Sequence, residues 1–254
     1  MTGFLLALQF FTAIPIRKNL PMEQQDVTRM YSALPLIGAL IGLILYGTAI
    51  LLTEGIGISP LLASFLIVLV GIALTGGLHM DGFADASDAF FSYRDKERRL
   101  EIMDDPRIGA FGTMALILLI VGKMALVYEL LLRAPHLLAV IIAIPLLSRA
   151  GMNVYFTTTR LAKEKGIAHF FKEKLATSTV ISTSGSMALL SLIALGIAVQ
   201  SLIIPVAFAI VLAGTMVIYQ HWTSKQFGGV TGDLCGAFIE GTEALLWLVL
   251  ILCI

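Results

Sequence analysis

Apolar residues in this chain run in long blocks, without the alternating polar positions that mark the half-exposed helices and strands of soluble proteins. Seven blocks, roughly 32–53, 57–78, 110–132, 136–157, 181–200, 203–222 and 238–254, approach the ~20 residues a helix needs to cross a bilayer core. An eighth, 3–16, is shorter and is followed by Pro15, Arg17 and Lys18. Its length suits a thin span, a re-entrant segment or an interfacial helix. The pattern predicts an all-α fold, a polytopic transmembrane helix bundle with seven or eight helices. One membrane domain over residues 1–254 is the simplest organisation, with the lipid bilayer as its surroundings.

Composition narrows the picture. The chain is 58% hydrophobic and 13% charged, whereas soluble domains are nearer a quarter charged. So little polar surface could not cover so many Leu, Ile, Val and Ala side chains in water. Formal charge is zero, so no basic field points to nucleic acid. Cys235 and Cys253 form neither a disulfide framework nor a metal-type spacing. The opening MTGFLLALQFFTAIPIRK lacks a basic start and a small-residue cleavage signal, so it is not expected to be a removed signal peptide. A homo-oligomer is compatible with all of this.

Charge placement orients the spans. The segments around 17–29, 94–107, 160–174 and 225 hold 14 of the 17 basic residues, while the intervening short turns hold only Arg133. That asymmetry puts the long loops in the cytoplasm, predicting a multi-pass protein of the cell inner membrane. Most acids share that side, with Glu54 and Glu129 as outward exceptions. Polar chemistry is therefore expected on the cytoplasmic face.

The densest chemistry lies in 76–112, GGLHMDGFADASDAFFSYRDKERRLEIMDDPRIGAFG. Asp81, Asp85 and Asp88 stand at i, i+4 and i+7, on one face of a helix. Like charges so spaced destabilise a helix, and no basic residue lies three or four positions away to relieve them. A hard divalent cation reverses the sign: Mg²⁺ takes oxygen ligands, typically one or two carboxylates together with substrate phosphates. Glu101 and Asp105 repeat the spacing and are candidates to complete a one- or two-metal site; Arg98, three residues before Glu101, argues instead for a charged surface helix.

Further candidates surround this cluster. Arg107 closes the loop before the next span. Arg149 and Lys123 fall inside apolar blocks, where a cation is costly and implies a partner, either the acids or a polyphosphate. Arg149 lies near enough to its helix end to snorkel; Lys123 is too deep for that and calls for a buried partner. In GGVTGDLCGAFIE, 228–240, Gly228, Gly229 and Gly232 allow close backbone approach to a ligand. Thr231 or Asp233 suits the cap of the following helix, whose N-terminus favours phosphate. Asp233 and Glu240 share a face. His79 is a candidate to position a phosphate or act as a general base, whereas His136, His169 and His221 show no metal spacing.

Together, the strings GGLHMDGFADASDAFF, EIMDDPRIG, Ser148-Arg149 and GGVTGDLCGA, with the opening FLLALQFFTAIPI and PLIGALIG near residue 35, resemble the adenosylcobinamide-GDP ribazoletransferases, or cobalamin synthases. The similarity runs along nearly the whole chain. Ala89 stands where that family's pattern has Gly, and Asp104 and Pro106 lie in a variable stretch. The resemblance implies a multi-pass, Mg²⁺-dependent enzyme of the inner membrane. It would join adenosylcobinamide-GDP to α-ribazole, or its 5′-phosphate, to give adenosylcobalamin, or its phosphate, and GMP. On that reading Asp81, Asp85 and Asp88, with Asp105 and Glu101, hold Mg²⁺ against the diphosphate. Arg107 and Arg149 steady phosphate oxygens, and Asp88 accepts the proton of the attacking hydroxyl.

Two other readings fit less well. A CDP-alcohol phosphotransferase would share Asp81-Gly82 and Ala84, but Asp85 stands where Arg is required and the second acidic repeat is absent. A cation-coupled transporter would place charge at the bilayer midplane on broken helices, where the sequence suggests only Lys123.

Overall fold

The computed structural model describes residues 2–254. Eleven α-helices follow in order: α1 (Thr2–Phe11), α2 (Gln24–Ile50), α3 (Pro60–Thr75), α4 (Leu78–Phe91), α5 (Lys96–Met103), α6 (Ala110–Arg133), α7 (Val140–Thr158), α8 (Ile167–Glu173), α9 (Thr177–Val199), α10 (Ile203–Gln226) and α11 (Gly232–Cys253). Six are long and apolar enough to cross a membrane, and the bent pair α3–α4, counted as one broken span, brings the number to seven. The ten residues of α1 rise only ~15 Å, too short to cross. The expected all-α bundle is thus present at the lower of the two expected counts.

The seventh span is broken where the sequence pattern suggested continuity. Gly76 ends α3 at φ 62° and Gly77 begins α4 at φ 76°. Two successive left-handed residues, open to glycine without strain, turn the chain by 92°. The block read as 57–78 therefore stops at the Gly pair, and the aspartate-bearing stretch becomes a separate half-span.

That half-span is seated by small residues. A Cβ on Gly82 would lie 2.6 Å from the Asp233 carbonyl oxygen, and one on Gly236 would lie 3.0 Å from that of His79. With Ala86, Ala89 and Ala237 buried, α4 packs almost backbone to backbone along the start of α11, as small-residue helix contacts allow in lipid.

The bundle is centred on α7, 83% of whose span is buried, against 22% for each of α6, α9 and α10. Gly38 and Gly42 of α2 press directly on the α7 backbone at Pro145 and Ile142. Exposed Leu, Ile and Val on α6, α9 and α10 face outward, where lipid satisfies them. Following the crossings, the α4–α5 connection, the 159–166 loop and the 227–231 loop all emerge at one end of the bundle. Val230 there donates to the Arg160 carbonyl at 2.8 Å, and Ala162 donates to that of Val230 at 3.0 Å. Arg99 of α5 lies against Phe90 and Phe227 and donates to the Gln226 side chain at 2.5 Å.

Candidate active site

Asp81, Asp85 and Asp88 line one face of α4, as their spacing predicts, but their surroundings separate them. Asp88 accepts from the Gly109 amide at 2.7 Å and the Gly112 amide at 2.9 Å, binding the free N–H groups that open α6. Both residues are glycine because a side chain at either would collide with this carboxylate. The residue assigned as metal ligand and proton acceptor is therefore engaged by a helix N-terminus.

Asp81 is exposed and Asp85 half-buried. Asp85 lies within electrostatic reach of Asp81, Asp233 and Asp88. Among the described residues, Asp81, Asp85 and Asp233 have no Lys or Arg at ion-pair distance.

The other two expected ligands sit apart. Glu101 pairs with Arg98 at 2.5 Å on the exposed side of α5. Asp105 takes a two-pronged contact from Arg107, 2.9 Å to Nε and 2.6 Å to Nη2. Hydrogen bonds from that guanidinium and the Arg107 amide hold the Asp105 carboxyl down at about 2. Among the described residues no three His, Cys, Asp or Glu side chains are drawn together closely enough to hold a metal ion. The expected five-carboxylate set is thus not assembled, because three of its members have nearer partners. Two neighbouring α4 aspartates and Asp233 across from them remain free. Such a donor set fits Mg²⁺, which needs few protein carboxylates when phosphates complete its shell.

Lys123 and Arg149, both candidates to bind substrate phosphate, pair with buried acids instead, and for Lys123 this is the buried partner its depth calls for. Lys123 Nζ binds Glu240 and, at 2.9 Å, Glu243. Arg149 binds Glu243 as well as the Pro145 carbonyl at 3.2 Å and Ser148 Oγ at 3.1 Å. All four charged groups lie near the middle of α6, α7 and α11, and each is largely buried. Arg149 does not snorkel. Midplane charge is therefore more extensive than Lys123 alone, yet its two cations and two carboxylates neutralise one another and leave none for a transported ion. The sequence reading overlooked Glu243 and placed Glu240 with the end-facing acids. The available signal was the pair at i, i+3 in an apolar block, matching two orphan cations elsewhere.

The glycine-rich loop is partly structural. At Gly229, φ is 157° and a Cβ would lie 2.7 Å from the Leu161 carbonyl carbon, so the close approach expected for a ligand is made to the 159–166 loop. Gly228, φ 85°, and Gly232 face open space. Thr231 caps α11 by accepting from the Leu234 amide at 3.2 Å, as expected of either Thr231 or Asp233. Thr231, Gly232 and Asp233 line a cleft of ≈ 270 Å³ with Lys163, Lys165 and Asp104. Lys163 is held by Asp104 at 2.6 Å; among the described residues Lys165 has no carboxylate partner. Neither lysine was singled out from sequence, because charged loop residues are usually solvated. His79 is buried, its Nδ1 3.4 Å from Arg149 Nη2.

The arrangement, then, is one bundle end carrying unpaired carboxylates, an open helix N-terminus and lysines, a combination suited to metal-assisted handling of phosphate. Residues 3–251 match the family model described as cobalamin-5-phosphate synthase. A protein named adenosylcobinamide-GDP ribazoletransferase from Geobacillus kaustophilus (strain HTA426) is 44% identical over 250 residues, covering 96% of this chain and 93% of its own. Proteins of the same name from Geobacillus thermodenitrificans (strain NG80-2) and Clostridium tetani (strain Massachusetts / E88) are 40% and 35% identical, covering 96% and 98% of this chain and 93% and 96% of their own. No solved structure matches. With nearly its full length matched, this chain belongs to the cobalamin-5-phosphate synthase family.

Proposed function

We propose that this protein joins adenosylcobinamide-GDP to α-ribazole, or its 5′-phosphate, giving adenosylcobalamin, or its phosphate, and releasing GMP. The observation that carries the site assignment is the face formed by Asp81, Asp85 and Asp233, three acids without a cationic partner beside a lysine-bearing cleft. Unpaired acids gathered on one face repel one another in the empty protein, and that repulsion is relieved when a cation and a phosphate arrive.

Asp81 and Asp85 would hold Mg²⁺, with Asp233 facing them. When bound, Mg²⁺ supplies neutralisation of the diphosphate charge that grows on the leaving GMP. Lys165 and the open N-terminus of α11 at Gly232 hold phosphate oxygens. Arg107, whose side chain is 85% exposed, is free to exchange Asp105 for a phosphate. Asp233 takes the proton of the attacking ribazole hydroxyl, the role that Asp88 cannot fill while it caps α6. The basic loops share this end of the bundle, which supports a site on the cytoplasmic side of the inner membrane.

The test is product formation by purified protein in lipid with adenosylcobinamide-GDP and α-ribazole, following GMP and corrinoid together. Turnover that stops with EDTA and returns with Mg²⁺ is the expected result. Unaltered turnover in EDTA, or in Asp85→Asn, overturns the metal assignment. Absence of transfer under all conditions overturns the reaction.

A further inference from the structure

On the other side of Asp233 from the lysine cleft lies a second cavity of different character. Its volume is ≈ 140 Å³ and its walls are largely Phe10, Phe11, Tyr31, Met152, Phe156 and Phe171. Tyr31 and Phe156 lie parallel, 8° apart with centroids at 5.2 Å, while Phe171 meets Tyr31 and Phe10 edge-on. These rings come from α1, α2, α7 and α8, so four separate segments converge to make one flat-walled apolar chamber. It meets the polar cleft at Ile167, Ala168, Gly232 and Asp233, which line both.

His79 also lines the chamber and is 3% exposed. Its Nδ1 faces the Arg149 guanidinium at 3.4 Å. A guanidinium has no acceptor, so Nδ1 accepts and the ring proton sits on Nε2. That Nε2–H is buried and has no partner. A buried donor left unpaired in a native structure points to a missing acceptor.

We infer that this chamber is the subsite for the base of α-ribazole, its dimethylbenzimidazole ring lying between the aromatic walls and accepting the Nε2–H of His79 at the ring nitrogen that carries no sugar. The assignment rests on the transfer reaction proposed above. The base is flat, apolar over both faces and both methyl groups, and has a single ring acceptor. The chamber offers flat apolar walls and one unpaired buried donor. Its ribose then leaves the chamber at Asp233, where the transferred phosphate is held. Guanine, the other base in the reaction, needs several donors and acceptors along its edge, whereas the carboxylate lining this chamber, Asp233, lies where it meets the polar cleft and the walls beyond are mostly apolar. A lipid chain would leave Nε2 unsatisfied. His79 is accordingly a binding residue, not a phosphate ligand or proton carrier.

The experiment compares α-ribazole with the matching dimethylindole riboside, in which that ring nitrogen is a CH. Binding of each alone is measured by calorimetry on the purified protein in lipid nanodiscs, and transfer rates are measured with adenosylcobinamide-GDP. Wild type should prefer α-ribazole by roughly tenfold in Kd, the worth of one buried hydrogen bond. His79→Phe should erase the preference and raise KM for α-ribazole, while KM for adenosylcobinamide-GDP stays near that of wild type. His79→Gln, which keeps an N–H donor, should restore part of it. Ala168→Trp, at the chamber mouth, should weaken both ribosides alike without touching His79. The comparison of the two ribosides on wild type decides the matter even if His79→Phe fails to fold. Equal affinity for the two ribosides, or a preference that survives in His79→Phe, overturns the subsite. Transfer without that preference would sink the subsite and leave the reaction standing; selective binding of α-ribazole without any transfer would do the reverse.

Discussion

Two groups of charges occupy this bundle, and they are finished to different degrees. Midway along α6, α7 and α11, Lys123, Arg149, Glu240 and Glu243 meet and satisfy one another. At the bundle end, Asp81, Asp85 and Asp233 lie within electrostatic reach of one another, and among the described residues none has a Lys or Arg at ion-pair distance. Both groups contain carboxylates, but only the first includes the cations that neutralise them. A saturated network holds helices together; an unsaturated one is incomplete until a ligand arrives.

The sharpest way to break this contrast is to unbalance the closed network. Glu243→Gln leaves Lys123 with Glu240 alone and takes from Arg149 its carboxylate partner, which should cost about 3–5 kcal/mol of stability, read as a lowered melting temperature in detergent, while the molecules that remain folded still turn over. Normal stability with lost turnover would show that the network belongs to the reaction. In the open group the effect should be reversed. Asp85→Asn should lower turnover at least a hundredfold, roughly 2.7 kcal/mol or more at the barrier, with melting unchanged or raised because repulsion is relieved. A destabilised Asp85→Asn would mean that this acid has a structural partner after all.

Asp88 tests the boundary between the two kinds. Its removal by Asp88→Ala should cost about 1–2 kcal/mol through loss of the α6 cap, and Asp88→Asn, keeping one acceptor oxygen, should recover part of that stability and much of the activity. Complete loss of turnover in a stable Asp88→Asn would return it to the catalytic set. The smallest effect is expected from Asp105. Its carboxyl titrates at about 2 beside Arg107, below its ordinary range. Any contribution of this pair is therefore fully present above the usual carboxylate pKa and fades only as pH falls through about 2. The pH–rate profile of Asp105→Asn should accordingly overlay that of wild type in shape across the neutral range; a displaced limb would assign that limb to this pair.

Sequence made the spans and the acid-bearing end legible because both are written in local composition: runs of ~20 apolar residues and loops rich in Lys and Arg. It also gave the stripe of three aspartates, a property of spacing alone. What it did not give depends on contacts between distant segments. The Gly76–Gly77 break reads in sequence as two small residues at the end of an apolar block. Glu243 reads as one acid in a helix, and only the approach of α6 and α7 shows why it is there. Asp88 cannot be distinguished from Asp85 until Gly109 and Gly112 are placed beside it. The aromatic chamber leaves no local signature whatever, since its rings lie on four elements with no common period.

The Lys123–Glu240 contact also has a history imposed by synthesis. The two residues are separated by 117 positions, which at ~5–20 residues per second amounts to roughly 6–23 seconds of translation. During that interval α6 must enter the bilayer with an unmatched ammonium, against a cost of about 2.5–3.5 kcal/mol for a lysine at a helix centre. The leucine, isoleucine and valine around it carry α6 in regardless, and arrival of the last helix then acts as a latch that closes only on a correctly gathered bundle.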